Sequence, residues 1–222
     1  MGTLYLVRHG QASFGADDYD QLSPLGLQQA QRLGAHWLAH GQRFDTVLMG
    51  TLRRHAQTLD GIAQGLPGLP APQVLPSLDE YDSLALIRAI HTEPLQKPNT
   101  PELYRHHFRL LRDGLTAWMQ GRVQPVGMPS YADFRAGVVG ALDHVRQSYE
   151  GDVLLVSSGG PIATAVAHIL EAPAATSIEL NLRIRNTAVT EFAFNPKRHQ
   201  LITYNTLPHL DAPPYRDWLT HA

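Results

Sequence analysis

Leu4-Tyr5-Leu6-Val7-Arg8-His9-Gly10-Gln11-Ala12, near the start of this 222-residue chain, is the stretch from which the rest of the sequence can be read. A short apolar run bounded by a turn residue reads as a strand. In open α/β sheets ligands bind beyond the carboxyl ends of the strands, which is where Arg8, His9 and Gly10 would stand. Gly10 lets the backbone turn sharply and approach a ligand closely. An imidazole beside a guanidinium suits in-line attack on phosphorus. The ring nitrogen of His9 is then the nucleophile, and the planar donor fork of Arg8 neutralises phosphate oxygens. Three such residues recur by chance in many proteins, so the weight lies in their position after the apolar run.

Working outward, further strand-like runs rich in Val, Leu, Ile and aromatics fall at 46–49, 153–156, 189–194 and 201–204, beside the first at 4–7. Helical patterns lie between them. The segment 24–39 has Ser23 as N-cap, Pro24 at the first helical position and Gly41 just past its end. Residues 53–64, 101–120, 131–149 and 161–170 also read as helices. Strands alternating with helices predict an α/β three-layer sandwich, with a central, mostly parallel sheet flanked by helices. Residues 1–222 are expected to form a single domain, with a helical cap-like insertion at about 82–131.

Composition narrows the function classes. A formal charge of −2 gives no general attraction to nucleic acid or to an anionic membrane. No apolar run approaches the ~20 residues of a membrane span, and no basic leader precedes the first strand, so a cytoplasmic location is the default expectation. With no cysteine there is no disulfide, no thiol nucleophile and no thiolate metal site. His36 and His40 lie four apart on one helix, but no third ligand stands near them in sequence, so a metal site is not expected there. Arg105, His106, His107, Arg109 and Arg112 read first as a solvated helix face and second as cap residues that touch substrate.

Several segments, in order, resemble the motifs of the histidine phosphatase (phosphoglycerate-mutase-like) superfamily. Beyond Arg8-His9-Gly10, Leu22-Ser23-Pro24-Leu25-Gly26 resembles the motif that opens that family's first helix. Gly50-Thr51-Leu52-Arg53-Arg54-His55-Ala56-Gln57-Thr58 resembles Ser-Pro-Leu-x-Arg-Ala-x-Gln-Thr, which puts the second phosphate arginine on Arg54. Leu78-Asp79-Glu80 resembles Leu-x-Glu, and Asn186-Thr187-Ala188-Val189-Thr190 and Asn205-Thr206-Leu207-Pro208 look like the last strands. The resemblance implies a cofactor-independent, acid-type histidine phosphatase. His9 would take up the phosphoryl group, Arg8 and Arg54 would stabilise its oxygens, and Glu80 would act as proton donor. Gly10, Gln11, Ser158 and Gly159 would contact phosphate. No metal enters that scheme, and the implied partner is a small phosphate ester or a phosphate or sulfate anion. Association as a homodimer stays open.

The chain departs from the family at Val156-Ser157-Ser158-Gly159-Gly160-Pro161, where Ser158 stands in place of a second histidine that bonds the phosphoryl group. A hydroxyl donates one uncharged hydrogen bond, and losing a transition-state donor costs on the order of 10²–10³ in rate. The amides of Gly159 and Gly160, at a helix start, would still favour an anion. Gly15, where many members carry a polar residue, is a second departure. Two function classes therefore compete: a phosphomonoester hydrolase, and a phosphate-binding or regulatory protein without efficient turnover. A mutase is the weaker third, because such relatives tend to be longer and to keep both histidines.

Overall fold

The computed structural model describes residues 1–13, 20–96 and 99–221. Among these, one sheet is built from β1 (Gly2–Arg8), β2 (Thr46–Met49), β3 (Gln73–Val74), β4 (Gly151–Ser157), β5 (Val189–Asn195) and β6 (Arg198–Thr206). Their order across the sheet is β3-β2-β4-β1-β5-β6. β1, β2, β3 and β4 pair in parallel, whereas β5 runs antiparallel to both β1 and β6. The sheet is thus mostly parallel, with β1 and β4 side by side near its middle and in register from Gly2 with Gly151 to Arg8 with Ser157.

The described α-helices are α1 (Pro24–Ala39), α2 (Arg53–Gly65), α3 (Ser83–Arg88), α4 (Pro101–Met119), α5 (Tyr131–Ser148), α6 (Gly159–Ile169) and α7 (Thr176–Asn181), with short 3-10 turns at Pro76–Leu78, Pro208–Leu210 and Pro213–Trp218. Alternation along the strands assigns the two faces. Val7, Val47, Leu154 and Val156 pack with Leu33 and Trp37 of α1 and Ile62 of α2. Leu4, Leu6, Val153 and Leu155 turn the other way, against Val138 and Leu142 of α5 and Ile162 and Val166 of α6. The fold is therefore the expected α/β sandwich.

Caps set the helix starts. Ser23 Oγ accepts from the Gly26 amide at 3.1 Å, and Pro24 fills the first turn. Thr100 and Ser130 cap α4 and α5 in the same way. α1 and α2 approach backbone to backbone. A β-carbon on Gly34 would collide with the Ile62 carbonyl, and one on Gly65 with the backbone of Gln31 and Ala35. Between β3 and α5, α3 and α4 join Ile178 of α7 in a small core of Leu86, Ile87, Leu111, Leu115 and Trp118. No described helix is long and apolar enough to cross a membrane.

Candidate active site

The carboxyl ends of β1, β2 and β4 share one edge of the sheet, and the residues singled out from sequence gather there. His9 follows β1 directly and its amide donates to the Ser157 carbonyl at 2.9 Å, so β4 fixes its backbone. His9 is buried. Its Nδ1 lies 2.7 Å from the Gly10 carbonyl oxygen, which can only accept. Nδ1 therefore carries the proton, and Nε2 keeps its lone pair. Burial, then the charges of Arg8, Arg54 and His55, hold the His9 pKa well below its ordinary value. The ring stays neutral, and so nucleophilic, over a wide pH range.

Gly10 is required where it stands, because a β-carbon would enter the Gly26 carbonyl at the start of α1. Its amide donates to Thr58 Oγ1 at 3.0 Å. Gln11 is tied down: its amide donates to Gln29 Oε1 at 2.9 Å and its own Oε1 accepts from Ser23 Oγ at 2.7 Å. Gln11 thus joins the β1 turn to the N-terminus of α1.

Both arginines are buried. Arg8 Nη1 donates to the Ile184 carbonyl at 2.5 Å. Arg54, on the first turn of α2, donates from Nη1 to Asp20 Oδ1 at 2.8 Å. The other Asp20 oxygen accepts from the Arg53 amide at 2.9 Å, so one carboxylate caps α2 and aims Arg54. Asp20 was not anticipated from sequence, since nothing at residue 20 marks it as a partner of α2.

Glu80 follows a 3-10 turn at Pro76–Leu78. The Ser157 hydroxyl anchors that turn by donating to the Leu78 carbonyl at 2.6 Å. Burial raises the Glu80 pKa, partly offset by the Gly160 amide and by the charges of Arg54 and Arg8. The carboxyl accepts from the Gly160 amide at 3.1 Å and from the Tyr81 amide at 3.3 Å. A β-carbon on Gly160 would displace it. The Gly160 amide, expected to favour a bound anion, donates to Glu80 instead.

Ser158 and Gly159 open α6. Gly159 is bare because Asn181 Oδ1 and Ile184 occupy the space of a β-carbon. The Ser158 side chain does not cap the helix. Its Oγ lies 3.5 Å from Arg54 Nη2 and 2.8 Å from His55 Nε2. His55 was missed from sequence, although it occupies the alanine position of the Arg-Ala-x-Gln-Thr motif. Its ring centroid lies 6.0 Å from that of His9. Gly15 lies outside the described residues. The sites assigned from sequence thus converge: a bare imidazole nitrogen, two guanidinium groups whose charges reach both His9 and Glu80, and a carboxyl biased toward its acid form.

A family model of the histidine phosphatase superfamily (branch 1) matches residues 4–207. The chain belongs to that superfamily. This histidine phosphatase homologue has no match among curated proteins. Solved structures share its fold at low identity. YhfR of Bacillus stearothermophilus has 19% identity and a TM-score of 0.69, over 94% of this chain and 99% of that one. A phosphoserine phosphatase from Entamoeba histolytica, in complex with 3-phosphoglyceric acid, has 23% identity and a TM-score of 0.65, over 95% and 100%. A mycobacterial glucosyl-3-phosphoglycerate phosphatase has 23% identity and a TM-score of 0.63, over 93% and 100%.

Proposed function

We propose that the chain is a phosphomonoester hydrolase acting through a phosphohistidine on His9. The observation that carries the proposal is the His9 tautomer: Nδ1 is committed to the Gly10 carbonyl, so Nε2 is the atom left to attack. In the first step Nε2 bonds to phosphorus as the bond to the ester oxygen breaks, and Glu80 gives its proton to the departing alcohol. In the second, water attacks phosphorus, its proton passes to the Glu80 carboxylate, and inorganic phosphate leaves with His9 restored. Arg8 and Arg54 offset charge on the phosphoryl oxygens through both steps. Phosphoryl transfer depends mainly on positioning and electrostatics, and this site supplies both without drawing on a metal or cofactor.

The substrate class is a small phosphate ester, in keeping with fold relatives described as phosphatases of phosphoserine and glucosyl-3-phosphoglycerate. The rival reading, a phosphate-binding or regulatory protein, rests on Ser158, whose hydroxyl carries no charge. The proposed partners are soluble phosphate esters in the cytoplasm, with no nucleic acid or membrane, and dimerisation of the chain stays open. Hydrolysis of an aryl phosphate at pH 5–8, with EDTA present, separates the two readings. Turnover by the parent that disappears in His9→Ala supports the hydrolase, with a trapped acid-labile phosphohistidine as the direct signature. Equal rates for parent and His9→Ala, with phosphate binding retained, would support the binding protein.

A further inference from the structure

Ser158 and His55 are 103 residues apart in sequence, yet both are fully buried and their polar atoms meet at the floor of the site. Two nitrogens face the one Ser158 oxygen: Arg54 Nη2, a donor, at 3.5 Å, and His55 Nε2 at 2.8 Å, a donor in the tautomer that protonates it. A hydroxyl oxygen has two lone pairs and one hydrogen. When Arg54 and a protonated Nε2 fill the lone pairs, the hydrogen is left to point away from both. The His55 ring flanks His9, with the centroids 6.0 Å apart, and the Arg54 charge acts on His9 as well.

The imidazole has little structural reason to be buried here. Its Nδ1 makes no hydrogen bond among the described residues and stands 3.8 Å from Asp79 Oδ1. Room for it exists only because residue 50 is glycine: a β-carbon there would strike both His55 Nδ1 and Asp79 Oδ1. Asp79 is itself held by the Thr51 amide at 2.6 Å and by the Thr51 hydroxyl. A buried polar ring with one unsatisfied nitrogen costs stability, and its one side-chain hydrogen bond among the described residues is the one shared with Ser158 Oγ.

We infer that His55 is a positioning residue for phosphoryl transfer: it donates Nε2–H to Ser158 Oγ, so that the Ser158 hydroxyl is turned and polarised as a donor to the phosphoryl oxygen on His9. A hydrogen bond into a hydroxyl oxygen strengthens the bond that hydroxyl gives onward. The serine–histidine pair thereby replaces the missing histidine with two residues from two elements. This rests on the phosphohistidine reading above and adds to it the part played by α2.

The test is steady-state hydrolysis of an aryl phosphate by the parent, His55→Ala, Ser158→Ala, the His55→Ala/Ser158→Ala double variant, and the transposed His55→Ala/Ser158→His variant. Circular dichroism reports folding of each. His55→Ala is expected to lower kcat roughly 10- to 100-fold with KM little changed, less than the ~10²–10³ of losing a donor outright. The double variant should be no slower than the worse single one, and the transposed variant should recover most of the loss. His55→Gln, which keeps a donor near Nε2, should stay close to the parent, and His55→Leu, which fills the space without a donor, serves in place of alanine should His55→Ala not fold. A kcat within twofold of the parent for His55→Ala, or losses that multiply in the double variant, overturns the inference while leaving His9 as nucleophile. If the parent is no faster than His9→Ala, the phosphatase reading fails separately. Calorimetric binding of orthovanadate then decides: weakening of at least tenfold in His55→Ala supports the pairing, and unchanged or undetectable binding in both proteins overturns it.

Discussion

Burial moves His9 and Glu80 in opposite directions on the pH scale, and the order of their titrations is what matters for chemistry. At ordinary values near 6.5 for histidine and 4.5 for glutamate, an intermediate pH would find the ring charged and the carboxyl ionised, the reverse of what attack and proton donation require. With His9 lowered and Glu80 raised, the neutral ring and the protonated acid coexist over a wider window. kcat/KM should therefore fall on the alkaline side as Glu80 ionises. Glu80→Gln should remove that limb and cost roughly 10²–10⁴ with a poor leaving group such as phenol, but much less with nitrophenol; an equal loss for both esters would contradict the donor role. Gly160→Ala should displace the same carboxyl and lower kcat by about 10²-fold, with an unchanged circular dichroism spectrum. Arg8, His9 and Glu80 were legible in the sequence because short local motifs carry them. His55 was not, because its significance lies in a contact with a distant residue that no local pattern records.

At the scale of elements, α1 and α2 touch through glycines, and two effects oppose each other there. Alanine at position 34 would gain helix propensity of about 1 kcal/mol. It would also force apart helices whose backbones already meet at the Ile62 carbonyl. Overpacking typically costs 1–3 kcal/mol, so Gly34→Ala should be destabilising by about 1–2 kcal/mol in urea unfolding. Because α2 carries Arg54 and His55, the variant should lose activity as well; a raised urea midpoint would show that the helices can part freely. The longer elements were readable in advance because they carry caps and sustained periodicity: α1 runs over the residues expected of it. β3 has two residues, and α3 and α7 six each, too few to show a period. α6 begins at Gly159, two residues before the expected start, because a Gly-Gly pair reads as a turn even where it forms the first turn of a buried helix.

Across the whole molecule, buried histidines set the response to acid. Burial holds His55 and His209 to about 3 and His199 to about 4, against an ordinary 6.5. The folded pKa lies below the unfolded one, so the unfolded chain alone takes up the proton. The stability these groups preserve is complete above about pH 6.5 and is lost as pH falls toward 4. The slope is up to about 1.4 kcal/mol per pH unit for each ring that stays neutral. Urea midpoints should hold steady from pH 8 to 7 and drop clearly by pH 5; an equal midpoint at pH 5 and 7.5 would refute this account.

β1 leads directly into His9, the proposed nucleophile, and its neighbours are β4, which begins at Gly151, and β5, which begins at Val189. At about 5–20 residues per second of synthesis, this strand waits on the order of ten seconds or more for its first partner. Until then both its edges are unpaired and its apolar side chains uncovered. A chain still on the ribosome can complete its α1–α2 pair early, but the site proposed around His9 can assemble only once β4 and the start of α6 have been made. A translation product that stops before β4 cannot assemble the proposed site, and the interval before β4 emerges is when the apolar face of β1 is most open to unwanted contacts.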